Sequence, residues 1–487
     1  QAGDRVNALR FYYLSGEWER LLALPLTSYE IADVVDEDTK PMILDIMEHT
    51  PFETKRKYPS AMVPLAFTLF FLHENQKLLA FREEIRQVIE QSDLPVPQKD
   101  VLSGEMELFL SFLEYNRIDA MSERHRRALE LLGGPAALIN VKSTWTFGSP
   151  SVLYMFWRES GKLDAELAQM NECMPIYYTL TAGHGSGAEI IMRAEAHLMR
   201  GEVNEAEILC HRAMFTADSK RQNSIYQCGL FLLARIAILR GDKNMLQNAL
   251  RSLEERSRQN TEDLCRYTLD LAKGFILQLL DRSDEVSPWL AEGEINDKRL
   301  VIMIQPFAHI LYGRLLTRRG EYQKLLGVSE FGLGLSAIFP NLLPQVYIKL
   351  YKAQAFEALG NRLQAIEALN SALDTALPDN ILLPFAENYE GIKKLLPDTN
   401  CDGGVREKIA VLAGALENGL TALGGRETPL SPREREVLEL LREGLTNPAI
   451  AEKLGISLST VKATVSSVLS KKGVSSRELL KKKKIAK

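Results

Sequence analysis

No stretch of this chain is long and apolar enough to suggest a membrane span. The nearest candidate, residues 300–316, is interrupted by Gln305, Pro306 and His309. No signal peptide opens it. Cysteine is scarce: five in 487 residues, at 173, 210, 228, 265 and 401, with no Cys-x-x-Cys pair. That scatter excludes a disulfide framework and a zinc ribbon, and it fits reduced, buried thiols in a cytoplasmic protein without a metal. No Gly-x-x-x-x-Gly-Lys-Ser/Thr occurs, so a phosphate-cradling loop of that kind is missing and no cofactor is expected. Residue 1 is Gln, which leads us to expect that the chain starts inside a longer protein. What remains is ordinary soluble composition, 46% apolar and 25% charged, at a length that predicts about three domains.

The last sixty or so residues carry the clearest pattern. Ser431 can cap a helix, with Pro432 in its first turn and Glu434 three after the cap, a capping box. Val437, Leu438, Leu440 and Leu441 give it an apolar face, and Gly444 ends it. Asn447 is expected to cap a second helix, with Pro448 first in it and Gly455 closing it. Ser457 can cap a third. There Val461, Val465, Val468 and Leu469 fall at i, i+4, i+7 and i+8, a buried stripe. Its other side shows Thr460, Lys462, Ala463, Ser466, Ser467, Ser470 and Lys471. Small groups let a helix approach base edges, while hydroxyls and lysines reach phosphates.

Residues 430–477 resemble the LuxR-type helix-turn-helix of the LuxR/FixJ superfamily. The resemblance rests on Leu430-Ser-Pro-Arg-Glu, Gly444-Leu-Thr-Asn-Pro-Ala-Ile-Ala, Ser457-Leu-Ser-Thr-Val-Lys and Lys472-Gly-Val-Ser-Ser-Arg477. It implies a four-helix domain that binds double-stranded DNA. Lys462, Ala463 and Ser466 would meet bases, and Thr460 and Lys471 the backbone. Asn447, Ser459 and Ser467 complete the candidate DNA-binding set. A fourth helix from Ser475 would be the dimer contact. Two positions depart from the pattern: Thr464 stands where the family usually has His, and Lys472 where it usually has Leu. Charge agrees. From Arg426 onward there are 14 Lys/Arg against 7 Asp/Glu, a net of +7, while the remainder has 45 against 57, a net of −12. A basic module on an acidic body suits a tethered DNA binder. The run Lys481–Lys484 alone reads as a solvated tail.

The body repeats. Turns fall at Asn75, Asn116, Gly161, Gly201, Gly241, Asp281, Gly320 and Gly360, with steps of 41, 45, 40, 40, 40, 39 and 40 residues. Seven before five successive turns stands a small residue: Ala194, Ala234, Gly274, Gly313 and Ala353. Ala206, Ala213, Gly332, Ala365 and Ala372 recur in the second helices. Small residues there let antiparallel helices press together, and stacked hairpins bury a seam that none could bury alone. The fold expected is all-α: a tetratricopeptide-like α-solenoid followed by the small LuxR-type domain. Its parts are a helical junction at 1–60 with a helix over 7–24, the repeat domain at 61–423 ending in a helix over 405–423, a linker at 424–429, and the DNA module at 430–487. A domain boundary is expected at 395–404. Array plus LuxR-type end is similar to the C-terminal part of MalT-like large regulators, where an ATP-binding switch domain precedes the superhelix.

One region breaks the packing rule. Phe109 and Tyr154 stand where small residues are expected, and the 45-residue interval holds an insertion near 143–150. Trp145, Phe147, Tyr154, Phe156, Trp157, Tyr177 and Tyr178 crowd around it, followed by the glycine-rich loop from Thr181 to Glu189. An aromatic hollow with a few polar groups is how small-molecule pockets look. The candidate inducer site is therefore Trp145, Phe147, Tyr154, Trp157, Tyr177, Tyr178, His184 and Glu189. The plainer reading is that these rings are core and the loop a connector. A catalytic His184-Gly-Ser186 arrangement is disfavoured, because a nucleophilic serine needs a strand-to-helix elbow and an oriented base; no enzyme is expected. The leading expectation is a ligand-responsive transcriptional regulator, activator or repressor, partnered by DNA, a small-molecule inducer, RNA polymerase and a second copy on DNA, with no membrane. A protein-interaction scaffold localised to DNA, or the effector arm of an ATP-driven regulator, are the alternatives.

Overall fold

The computed structural model describes residues 2–25, 27, 39–72, 74–139, 141–259, 263–296, 299–424 and 432–471. Among them the chain is helical, with no strand. Four helices come first: α1 (Ala2–Leu14), α2 (Trp18–Leu22), α3 (Thr39–His49) and α4 (Phe52–Lys57). The expected helix over 7–24 is broken at Gly16, which is left-handed. Leu9, Leu21, Leu22, Ile43 and Ile46 join the same hydrophobic core as the repeats.

Helical hairpins follow: α5 (Met62–Phe71) with α6 (Asn75–Gln91), α7 (Val96–Ser111) with α8 (Ile118–Leu132), then α9 (Val152–Phe156) leading to α10 (Leu163–Leu180). Next are α11 (Ala188–Met199) with α12 (Val203–Ser219), α13 (Asn223–Arg240) with α14 (Lys243–Gln259), and α15 (Asp263–Leu279) leading to α16 (Pro288–Glu292). The last two are α17 (Gln305–Arg319) with α18 (Tyr322–Ile338), and α19 (Leu342–Ala358) with α20 (Arg362–Ala376). Gly161, Gly201, Gly241, Asp281, Gly320 and Gly360 all take left-handed backbone; from Gly201 onward these five turns end a helix as expected, while Gly161 lies beyond the end of α9 at Phe156, in the turn into α10. The small residues pack where proposed. A Cβ on Gly313 would lie 2.9 Å from the Tyr351 ring, and Ala194, Ala353, Ala365 and Ala372 are fully buried.

First helices stack as α3, α5 and α7, and again from α9 through α19. Between α7 and α9 comes the long segment 133–151, and there the array opens into a cavity. The rings of Phe109 and Tyr154, both fully buried, flank this break.

The C-terminal part of the array folds back over its first helices through α21 (Leu383–Glu387), α22 (Tyr389–Ile392) and α23 (Gly403–Ala422). Asp379 accepts from Trp157 Nε1 at 2.9 Å and from the amides of Gly161 and Leu163 at 2.8 and 3.0 Å. Leu382 N donates to the Met199 carbonyl at 2.8 Å. Helix α23 lies on α13 so closely that Gly419 faces the Ile238 carbonyl with no room for a side chain. Residues 395–404, expected as a boundary, are instead tied in: Leu395, Leu396 and Cys401 are buried in the common core. The boundary signal there came from turn residues, which serve a tight turn into α23, capped by Asp402 on the amides of Gly404 and Val405. Of the expected linker only Gly424 is described, and Ser431 with its half of the capping box lies outside the described residues. So do the fourth helix from Ser475 and the Lys481–Lys484 run.

Candidate nucleic-acid interface and a cavity in the array

Three helices form a second, separate core: α24 (Pro432–Arg442), α25 (Asn447–Leu454) and α26 (Leu458–Lys471). Val437, Leu438, Leu440, Leu441 and Ile450 meet Val461, Val465 and Val468 of α26, and Leu469 packs beside them. The valine stripe thus points inward. Gly444 and Gly455 end the first two helices in left-handed conformation. Ser457 caps α26, accepting from Thr460 N at 3.1 Å, and its hydroxyl lies 2.7 Å from those of Ser459 and Thr460. The second helix differs from expectation. Its cap is Thr446, whose hydroxyl accepts from Ala449 N, while Asn447 is already the first helical residue. Both types suit a cap, and the position of Pro448 allows either register.

With valines buried, helical spacing puts Ser459, Lys462, Ala463 and Ser466 at i, i+3, i+4 and i+7 on the opposite side, all exposed. Thr460 is exposed on the flank. Ser467 is placed otherwise. It is half-buried, and its hydroxyl donates to Glu434 Oε1 at 2.7 Å, joining α26 to α24. Asn447 is half-buried, with Oδ1 lacking a partner among the described residues. The Lys471 side chain lies outside the description. One interaction had no visible signal in the sequence: Arg433 donates to the Leu454 carbonyl at 2.8 Å and locks α24 to the end of α25.

The cavity in the array has a volume of about 650 Å3. Four of the eight sequence candidates line it: Trp145, Phe147, Tyr177 and His184. The other four do not. Tyr154 is fully buried and donates to the Met303 carbonyl at 3.1 Å, and Trp157 serves the Asp379 clamp. Tyr178 donates to the Glu189 carboxylate, and this pair holds the loop from outside the cavity wall. Walls come as well from residues that the sequence reading missed, among them Phe67, Phe112, His125, Met170 and Met174. The glycine loop supports this wall. Gly185, left-handed, sits against the Trp145 indole, where a Cβ would be 2.5 Å from the ring. Ser186 donates to the Gly183 carbonyl rather than to His184, so the two do not form a serine–histidine pair.

His184 is held from both sides. Its Nε2 faces the Ser143 carbonyl at 3.1 Å, which can only accept, so Nε2 carries the proton and Nδ1 accepts from the Tyr177 hydroxyl at 2.8 Å. Burial pushes its pKa down to about 4, against a lesser upward pull from the Ser143 carbonyl. His125 lies 2.9 Å from the Ser111 hydroxyl and is pushed down to about 3 by burial. Both rings are neutral at pH 7. A depressed histidine stabilises the fold above its unfolded value near 6.5, and that contribution is lost as pH falls through the folded value. His184→Gln should therefore destabilise the array at pH 7, and its deficit relative to wild type should shrink by about 2 kcal/mol at pH 5. Thermal unfolding at both pH values checks this; an unchanged deficit would mean His184 is not the titrating group.

Residues 428–480 match the family described as "Bacterial regulatory proteins, luxR family". The nitrate/nitrite response regulator proteins NarL of Escherichia coli K12 and of Escherichia coli O6:H1 strain CFT073 are each 40% identical to this chain over 67 residues. That stretch is 14% of this chain and 31% of each relative, so the chain spans about a third of the length of the curated relatives it matches. The C-terminal module is a LuxR-family helix-turn-helix domain.

Proposed function

We propose that this protein is a sequence-specific transcriptional regulator whose helical array senses a small molecule. The observation that carries the DNA half is the exposed stripe Ser459, Lys462, Ala463 and Ser466 on α26, set against buried valines. In this reading α26 enters the major groove. Lys462 meets a base edge, Ala463 and Ser466 pack close to the bases, and Thr460 and Lys471 grip phosphates. Two copies occupy paired half-sites in double-stranded DNA, and the bound protein recruits RNA polymerase as an activator.

The sensing half rests on the cavity. A space of about 650 Å3, largely preformed and lined by rings, falls within the usual range of ligand sites. The chain's own segment 377–422 packs across the first helices of the array, where a scaffold would hold a partner peptide. That packing favours the small-molecule reading over the scaffold. Helix α23 offers the route between the halves: it is seated on α13 and leads through Gly424 to the DNA module. The resemblance to the C-terminal part of MalT-like regulators, in which a superhelix precedes a LuxR-type end, supports the same reading.

Lys462→Ala should weaken binding to the preferred operator by about 1–3 kcal/mol and relax base preference at one position in each half-site. Fluorescence anisotropy against a set of single-base operator variants reads both effects. An equal loss on every sequence, with a shallower salt dependence, would make Lys462 a phosphate contact instead. For the sensing half, a reporter driven by the operator should lose its inducer response in Trp145→Ala. A fully inducible Trp145→Ala protein would remove the cavity from the account.

A further inference from the structure

The cavity wall restricts what can fill it. Two ring pairs lie near-parallel: Trp145 with Phe156, at 5.7 Å and 22°, and Phe67 with Phe112, at 6.0 Å and 25°. Flat surfaces of this kind accept another flat ring by offset stacking or edge contact. The thioethers of Met170 and Met174 add soft, adaptable contacts that favour aromatic partners.

Most polar groups of the wall already serve one another; the Tyr115 hydroxyl is buried and lacks a hydrogen-bond partner among the described residues. Tyr177 donates to His184, His184 to the Ser143 carbonyl, and His125 meets Ser111. A polyhydroxylated ligand would give up its water without finding enough replacements. Charge is scarcer still. No Lys or Arg stands among the described residues of the wall. Its one carboxylate, Asp263, is exposed at the start of α15 and paired with Arg266 at 3.2 Å. Both histidines are neutral, so an ionised ligand would be desolvated with no counter-charge.

We propose that the cavity binds an uncharged, flat, mainly apolar ring compound, held by stacking and thioether contact. The proposal rests on the sensor reading above and narrows it to one ligand class.

Three probes titrated into the full chain test it. N-phenyl-1-naphthylamine is neutral and fluoresces in apolar sites; 1-naphthoate carries the same fused rings with a carboxylate; a neutral trisaccharide represents polyols. The neutral dye should bind one per chain. 1-Naphthoate should bind at least about ten-fold more weakly, because its charge goes unpaired, and the trisaccharide should not displace the dye. Cys173→Trp and Met170→Trp each put an indole into the cavity and should each weaken dye binding by about ten-fold or more, since the added ring occupies space the dye needs between the walls. A melting transition confirms that each variant folds; if neither does, the ranking of the three probes on the unaltered chain decides. Naphthoate or trisaccharide binding more tightly than the dye, or no dye binding, overturns the ligand class. The sensor reading is judged separately: it falls if the folded filler variants also retain the full inducer response at the operator.

Discussion

Replacing Glu387 by alanine is expected to destabilise the array by about 3–5 kcal/mol, because it strands a buried guanidinium. Arg235 and Glu387 form an ion pair at 2.8 Å with side chains only 5% and 2% exposed. Tyr347 donates to the second carboxylate oxygen at 2.6 Å, and Arg314 reaches the Glu387 backbone carbonyl at 3.2 Å. Arg235 also lies over the Phe275 ring, 5.0 Å from its centre. The hydrogen-bonded residues Arg235, Arg314, Tyr347 and Glu387 come from α13, α17, α19 and α21, so the network ties the folded-back segment to three first helices. At an unfolding entropy scaled to an array of this size, that loss should lower the melting temperature by about 5 °C. Arg235→Met combined with Glu387→Met removes both charges and should recover most of the loss, since a buried pair contributes little net stability over an apolar replacement. Calorimetry on the three proteins is the measurement. A single variant that melts like wild type would mean the pair is solvated in solution.

Gly419→Ala should release α23. Alanine normally gains up to about 1 kcal/mol over glycine inside a helix, so the ordinary expectation is a small stabilisation. Here the added carbon would fall 1.8 Å from the Ile238 carbonyl oxygen and 3.0 Å from that of Leu239, both backbone atoms of α13. Neither can move without breaking α13, so α23 must lift. Ile409, Leu416 and Leu420, all buried against the array, then lose cover worth on the order of 5 kcal/mol. Gly414, one and a half turns earlier on the same helix, has nothing within 4 Å of such a carbon, and Gly414→Ala is the matched control. Trypsin should cut Gly419→Ala rapidly at Arg406 and Lys408 and leave the control resistant. In the regulator reading, Gly419→Ala should also separate DNA binding from inducer response. Equal protease resistance of the two variants would refute the seating of α23.

The parts that sequence revealed are those governed by neighbours in the chain. A left-handed turn every 40 or so residues needs Gly, or Asp as at 281, and small residues seven before it follow from one hairpin's own packing. The valine stripe of α26 and its Ser457 cap are likewise local. Contacts between distant segments left no such mark. Asp379 meets Trp157 across 222 residues, and nothing in either neighbourhood signals the other. The cavity is a mixed case. Bulky residues at positions 109 and 154 signalled that the stack would break, and it does. Which rings would face the gap was not readable, because helical spacing groups residues by face without saying which face stays uncovered. Tyr154 and Trp157 therefore turned out to hold backbone and carboxylate partners, while Phe67 and Phe112 from earlier hairpins form the wall.

The central claim is that α26 reads DNA with the side opposite its valines. Selection of binding sites from a pool of random duplexes, using the full chain at about 100 mM salt where non-specific attraction is partly screened, tests it most directly. A single enriched motif is predicted, with its preference altered by Lys462→Ala and not by Lys408→Ala on the array. Enrichment of no motif by the folded chain, or a motif that survives Lys462→Ala, Ser459→Ala and Ser466→Ala together, would contradict the account.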